Sequence, residues 1–156
     1  MRFFPYKDYL KLMKSLLVPD GIFEGVEDIP LNQLYQDGYR TVILDLDNTV
    51  MPYEEKQLSL NHLSWIQQTK SMGFNVILVS NNSSYKRVLK PCKQAGLEGY
   101  FFSFKPFPFT VKELVHDRGL DVRSCVVIGD QIMTDVIIGK WLRAYTILVD
   151  PDRKST

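Results

Sequence analysis

The chain has 156 residues, 45% of them hydrophobic and 24% charged, with 19 basic against 18 acidic side chains and a formal net charge of +1. That length suits a single domain with its own core, and that composition excludes a disordered chain. A near-neutral balance gives no long-range field to recruit nucleic acid, and no apolar stretch reaches the ~18 residues of a membrane-spanning helix.

In chain order, residues 5–17 have helical periodicity, with Tyr6, Tyr9, Leu10, Met13, Leu16 and Leu17 on one face and Lys7, Lys11 and Lys14 on another. Such a helix either packs on the domain core or lies peripherally on an anionic membrane surface with its lysines at the head groups. Lys7, Asp8, Lys11 and Lys14 also interrupt any signal-peptide apolar core, so the expected location is cytoplasmic, with contact at the inner membrane face if the helix docks there. Beyond it, short β-rich runs at 42–46, 75–79, 124–128 and 145–149, and a weaker one at 100–104, predict five strands. Helical periodicity between them predicts helices near 57–71, 84–95, 109–118 and 132–141. Strands alternating with helices imply right-handed crossovers, a mainly parallel sheet covered on both faces, and a Rossmann-like α/β three-layer sandwich.

Two cysteines, Cys92 and Cys125, fit no metal-ligand spacing, and Cys125 sits in an apolar run as a small core residue. His62 and His116 are solitary, and the glycine patterns of dinucleotide and P-loop sites are absent.

An open parallel sheet binds its ligand at the carboxyl ends of its strands, so the residues just past each strand decide the chemistry. After the first predicted strand comes Asp45-Leu46-Asp47-Asn48-Thr49 and after the second Ser80-Asn81-Asn82. Lys105-Pro106 precedes the third predicted helix, and Gly129-Asp130-Gln131 follows the fourth strand, with Asp135 further on. Asp45 and Asp47, two residues apart at a strand end, would point to the same side. Phosphoryl transfer needs a nucleophile, neutralised phosphoryl oxygens and a proton donor for the leaving oxygen. A carboxylate can attack to form an aspartyl phosphate, provided a hard cation such as Mg²⁺ offsets its repulsion from the phosphate. The inventory supplies Asp45 as nucleophile, Asp47 for proton transfer, Asp130 and Asp135 for the cation, and Ser80 and Lys105 for phosphate oxygens, with Asn81 a further phosphate contact. Each residue also has an ordinary alternative: Ser80 and Asn81 as a helix cap, Lys105 as a solvated loop lysine, Asp130 as an N-cap.

These four motifs, in this order over about 40–149, closely resemble those of the haloacid dehalogenase-like (HAD) phosphohydrolase superfamily. The Asp-Leu-Asp-Asn-Thr and Gly-Asp-Gln-x-x-Thr-Asp forms are similar more narrowly to the capless YqeG-type branch, which resembles mitochondrial and plastid phosphatidylglycerophosphate phosphatases. The resemblance implies that Asp45 is phosphorylated and that Asp47 protonates the leaving group, activates water and offers its backbone carbonyl to Mg²⁺. It implies that Asp45 and Asp130 coordinate the ion, that Asp135 ligates it or orients its water, and that Ser80 and Lys105 hold the phosphoryl group. The spacing between motifs leaves no room for a cap domain. Residues 1–156 then form one HAD-like phosphatase domain, with 1–38 an N-terminal helical extension and 39–150 the catalytic core.

The expected function is Mg²⁺-dependent hydrolysis of a phosphomonoester, with phosphatidylglycerophosphate as leading substrate. A phosphatase for soluble sugar phosphates or nucleotides and a non-catalytic binding module are the alternatives. The sequence gives no oligomeric state.

Overall fold

The computed structural model describes residues 6–80, 85–101 and 109–151. It contains a six-stranded sheet, all neighbours parallel, built from β1 (Gly21–Phe23), β2 (Thr41–Asp45), β3 (Asn75–Ser80), β4 (Glu98–Phe101), β5 (Cys125–Gly129) and β6 (Tyr145–Val149). The strand order is β1-β6-β5-β2-β3-β4. From β2 the chain steps outward through β3 and β4, then returns to β5 on the other flank of β2. The strand order therefore reverses between β2 and β5.

The central strands have β-branched and leucine side chains on both faces because both faces are covered. On one face Val42, Leu44, Val76, Leu78, Val126 and Ile128 pack against Trp65 and Ile66 of α3 (Leu60–Ser71) and Val88 and Cys92 of α4 (Tyr85–Ala95). On the other, Ile43, Ile77, Val79 and Val127 meet Leu114 of α5 (Phe109–Asp117) and Ile138 and Leu142 of α6 (Ile137–Leu142). This alternation with period two is the three-layer sandwich expected from the sequence. Cys92 and Cys125 are both free and buried, and burial pushes the Cys125 thiol up to about 11.

Six strands replace the predicted five. β1 lies within the stretch expected to be a helical extension, between α1 (Tyr6–Leu17) and a short helix α2 (Leu31–Gln36). Three residues led by a glycine give no periodic signal; the strand is latched at the sheet edge by its neighbour Asp20. The Asp20 backbone N–H donates to Thr146 O at 2.9 Å, and its carboxylate accepts from Thr146 N at 2.9 Å, Thr146 Oγ1 at 3.0 Å and Lys140 Nζ at 2.7 Å.

Burial works against ionisation of Asp20, but the Lys140 ammonium and the Thr146 hydrogen bonds outweigh it and hold the pKa below its ordinary 3.8. A depressed carboxylate contributes stability that is complete above the unfolded pKa and is lost as pH falls through the folded one. The urea midpoint of the parent protein is therefore expected to fall more steeply below pH 3.8 than that of Asp20→Asn, whose latch carries no titrating carboxylate. Parallel pH profiles for the two proteins would remove Asp20 from acid unfolding.

Candidate active site

Asp45 is the last residue of β2, and Asp130 follows the last residue of the adjacent parallel strand β5. The two carboxylates thus project at the point of strand-order reversal, where open α/β sheets bind ligands.

The chain past Asp45 turns tightly. The backbone N–H groups of Val50 and Met51 both donate to Leu46 O at 3.2 Å, and Asn48 N donates to Met51 O at 2.8 Å. Asn48 adopts a left-handed φ of 61°, a conformation asparagine tolerates, and its Oδ1 accepts from Tyr53 N at 3.0 Å. With Leu46, Val50 and Met51 fully buried, the turn is anchored in the core.

It also delivers the buried Thr49, whose Oγ1 lies 3.1 Å from Asp45 Oδ2 and 3.4 Å from Asp130 Oδ1. One hydroxyl proton serves two acceptors, so Thr49 donates to one carboxylate at a time while keeping both in register.

Asp135 completes the group. After β5 the chain forms a π-helical turn, Ile132–Val136, in which Val136 N reaches back to Gln131 O at 3.3 Å. This turn folds Asp135 back under the strand end, where it is 2% exposed and Oδ2 accepts from Gln131 N at 3.2 Å. Only glycine leaves room for it: a Cβ on Gly129 would stand 2.1 Å from Asp135 Cγ. Ligand atoms of Asp45, Asp130 and Asp135 all lie within 4.8 Å of one another. Unit charges about 5 Å apart repel by ~3 kcal/mol at an effective dielectric constant near 20, so a hard cation would relieve the group. Three carboxylates with a buried member fit the oxygen-ligand chemistry of Mg²⁺.

Asp47 faces a different set of partners. Its Oδ2 accepts from Ser80 Oγ at 3.2 Å, and its Oδ1 from Arg87 Nε at 2.7 Å. Ser80, which the sequence offers for phosphate, is the buried last residue of β3 and in the structure donates to Asp47. Of the other sequence candidates, Asn81 and Lys105 lie outside the described residues.

Sequence reasoning missed Thr49 as a bridge, Gly129 as the space for Asp135, and Arg87 altogether. Arg87 stands among Lys86, Lys90 and Lys93 in α4 and reads as one more solvated cation. Its signal is being the one arginine of that helix, since a guanidinium fork suits a carboxylate where a lysine point charge does not.

Acidic groups gathered at the reversal point of such a sheet suit phosphoryl transfer, and the comparisons agree. A HAD-hydrolase-like family model matches residues 104–155, and a model described as mitochondrial PGP phosphatase matches residues 8–99. A relative from Bacillus subtilis (strain 168), described as "Probable phosphatase YqeG", is 30% identical over 140 residues, covering 90% of this chain and 81% of that protein. A hypothetical protein from Xanthomonas campestris superposes with a TM-score of 0.60 at 16% identity, covering 85% of this chain and 75% of its own. The cobalt-bound deoxy-D-mannose-octulosonate 8-phosphate phosphatase of Haemophilus influenzae does so with a TM-score of 0.56 at 13% identity, covering 71% and 68%. At those identities the structural likeness is one of fold.

The protein is thus a phosphatase of the HAD-like class. Within that class the chain belongs to the PGP phosphatase family, whose model spans more than half of its length.

Proposed function

We propose that this phosphatase is Mg²⁺-dependent, works through an aspartyl phosphate on Asp45, and dephosphorylates phosphatidylglycerophosphate at a membrane surface. The observation that carries the reading is the group of Asp45, Asp130 and Asp135 at the β2–β5 reversal point. The family model and the 30% identical relative add support for the substrate and the class.

In the first step an Asp45 oxygen attacks phosphorus while the bond to the leaving oxygen breaks, and Asp47 gives that oxygen its proton. In the second, Asp47 takes a proton from water, which attacks the aspartyl phosphate and frees phosphate and Asp45. Ser80, Asn81 and Lys105 are assigned to the phosphoryl oxygens. When bound, Mg²⁺ would supply the positive charge that lets a carboxylate approach a phosphate; the Asp45, Asp130 and Asp135 carboxylates and the Asp47 carbonyl would hold it. In this reading residues 1–156 are one capless domain, with 39–150 carrying the chemistry; within 1–38 helix α1 makes the membrane contact, while Val26, Ile29, Leu31 and Leu34 join the core.

Helix α1 supports the lipid substrate. None of its residues is buried, and Tyr6, Tyr9, Leu10, Leu12 and Met13 are all exposed. Of the apolar face only Leu16 and Leu17 are half-buried; Tyr6, Tyr9, Leu10 and Met13 stay open to a surface. The helix lies against α6 and the π-helical turn, the elements that carry the exposed Trp141 and Ile132. Ile132 is two residues past Asp130, so the apolar surface adjoins the site. Lys7, Lys11 and Lys14 flank it with charge suited to anionic head groups. Among the described residues no helix is long and apolar enough to cross a membrane.

The test uses the purified chain with Mg²⁺ on phosphatidylglycerophosphate in phosphatidylglycerol vesicles, on sugar phosphates and nucleotides, and on an aryl phosphate. The lipid phosphate is expected to be hydrolysed best, and vesicle binding to weaken with salt as surface charge is screened. Replacing Lys7, Lys11 and Lys14 by glutamine should lower vesicle binding and lipid turnover while sparing the aryl phosphate. A soluble phosphoester turned over faster than the lipid, with no vesicle binding, would replace the lipid reading by that of a soluble-substrate phosphatase.

A further inference from the structure

We infer that Arg87 is a positioning residue that aims the Asp47 carboxyl at the leaving oxygen. The inference rests on the phosphatase mechanism proposed above. Arg87 side-chain atoms are 14% exposed and those of Asp47 21%, so both charges are largely withdrawn from water. A pair so placed is costly unless its hydrogen bonds are complete. Here they are well supplied. Arg87 Nε donates to Asp47 Oδ1 at 2.7 Å and Nη2 pairs with the same oxygen, while Ser80 Oγ holds Oδ2. Nη1 donates to Glu55 O at 2.7 Å, Nη2 reaches Pro52 O at 3.4 Å, and the guanidinium lies 4.9 Å from the Tyr53 ring centroid.

Asp47 is therefore held from two separate elements, β3 and α4: Oδ1 stays in the Arg87 grip, and Oδ2 carries the proton to be given once Ser80 Oγ turns to the phosphoryl group. The same guanidinium ties down the loop 52–55 that follows the Asp47 turn. A proton donor contributes only while it points at the atom it protonates, and a misplacement of about 1 Å can cost 10²-fold. Lysine could supply the charge but not the fork.

The consequence is a dependence on the leaving group. Phosphoenzyme formation from an alkyl phosphate expels a strongly basic alkoxide oxygen and needs the Asp47 proton. A nitrophenolate leaves almost unaided. Because kcat/KM reports events up to leaving-group departure, it separates the two cases. A defect in the later water step falls on kcat for both substrates alike.

The experiment measures kcat/KM with Mg²⁺ for 4-nitrophenyl phosphate and n-butyl phosphate in the parent, Arg87→Ala, Arg87→Lys, Asp47→Asn, the Asp47→Asn/Arg87→Ala double variant and Arg118→Ala. Arg118 pairs with Glu98 and the Tyr100 hydroxyl, partners outside the site, and serves as control. Arg87→Ala is expected to lose about 10²-fold on the alkyl substrate and less than about 5-fold on the aryl one, within the range of general-acid effects. Arg87→Lys should show the same split, smaller. The double variant should be no worse than Asp47→Asn, because the two residues act as one unit.

Should Arg87→Ala fail to fold by thermal denaturation, Arg87→Lys carries the same reading. Equal losses on both substrates, or additive losses in the double variant, would overturn the inference and leave Arg87 a fold or phosphate contact. A parent protein inactive on both esters would overturn the phosphatase mechanism instead.

Discussion

Asp45→Asn is expected to stay folded and, with the proposed nucleophile gone, to lose hydrolysis of every phosphomonoester by roughly 10⁴-fold or more, the neighbouring carboxylates being assigned to proton transfer and to the metal. An asparagine amide nearly matches the carboxylate in shape, so Thr49 keeps a partner at 45 as well as at Asp130. The substitution also removes one of three mutually repelling charges. Without added metal the melting temperature of Asp45→Asn should therefore equal or exceed that of the parent. Turnover of an aryl phosphate and thermal denaturation check both statements. A variant retaining a tenth of parental turnover would exclude Asp45 as the nucleophile.

Gly129→Ala is the second large effect, and it acts through space alone. The added methyl would stand 2.1 Å from Asp135 Cγ and 2.2 Å from its Oδ2, in a place where Asp135 is already buried. Overpacking of this kind costs about 1–3 kcal/mol, and here the displaced group belongs to the carboxylate cluster. Activity should fall at least ~10²-fold, as misplacement of a catalytic constellation does. If Mg²⁺ is the ion held there, as proposed, the stabilisation it confers on the parent by occupying the folded state should largely vanish in this variant.

Gly139→Ala separates the two causes. Its methyl would meet Thr146 Cγ2 at 2.3 Å, a clash of the same kind within the α6–β6 packing, away from the carboxylates. That variant should lose stability yet keep its Mg²⁺-dependent rise in melting temperature. Equal loss of the Mg²⁺ effect in both would mean that Asp135 plays no special part in holding the ion.

The central strands and the crossover helices were legible because burial on both faces demands continuous apolar, β-branched runs, and Thr41–Asp45, Asn75–Ser80 and Cys125–Gly129 supply them. The grouping of Asp45, Asp130 and Asp135 was legible for a related reason: parallel strands bring their carboxyl ends to one edge whatever the sequence distance between them. β1 was not, since three residues held by Asp20 against Thr146 and Lys140 depend on partners some 120 positions away that no local pattern encodes.

The helix predicted over 132–141 is divided into a π-helical turn and α6. Apolar periodicity does not register one extra residue in a turn, although that residue helps bring Asp135 under Gly129. Arg87 escaped for want of any local sign of Asp47 across the sheet end.

The edge pairing of β1 with β6 sets an order of events during synthesis. Among the described strands β1 is made first, yet its partner Tyr145–Val149 is made last. Until then Gly21–Phe23 has no edge to join, and contacts of such long sequence separation form slowly. Helix α1 must likewise wait for the neighbours it lies against, because α6 and the π-helical turn are also made late. Under the proposed membrane reading, an anionic bilayer met during that interval would find α1 before its protein neighbours exist, and the sheet would then close on a chain already held at that surface.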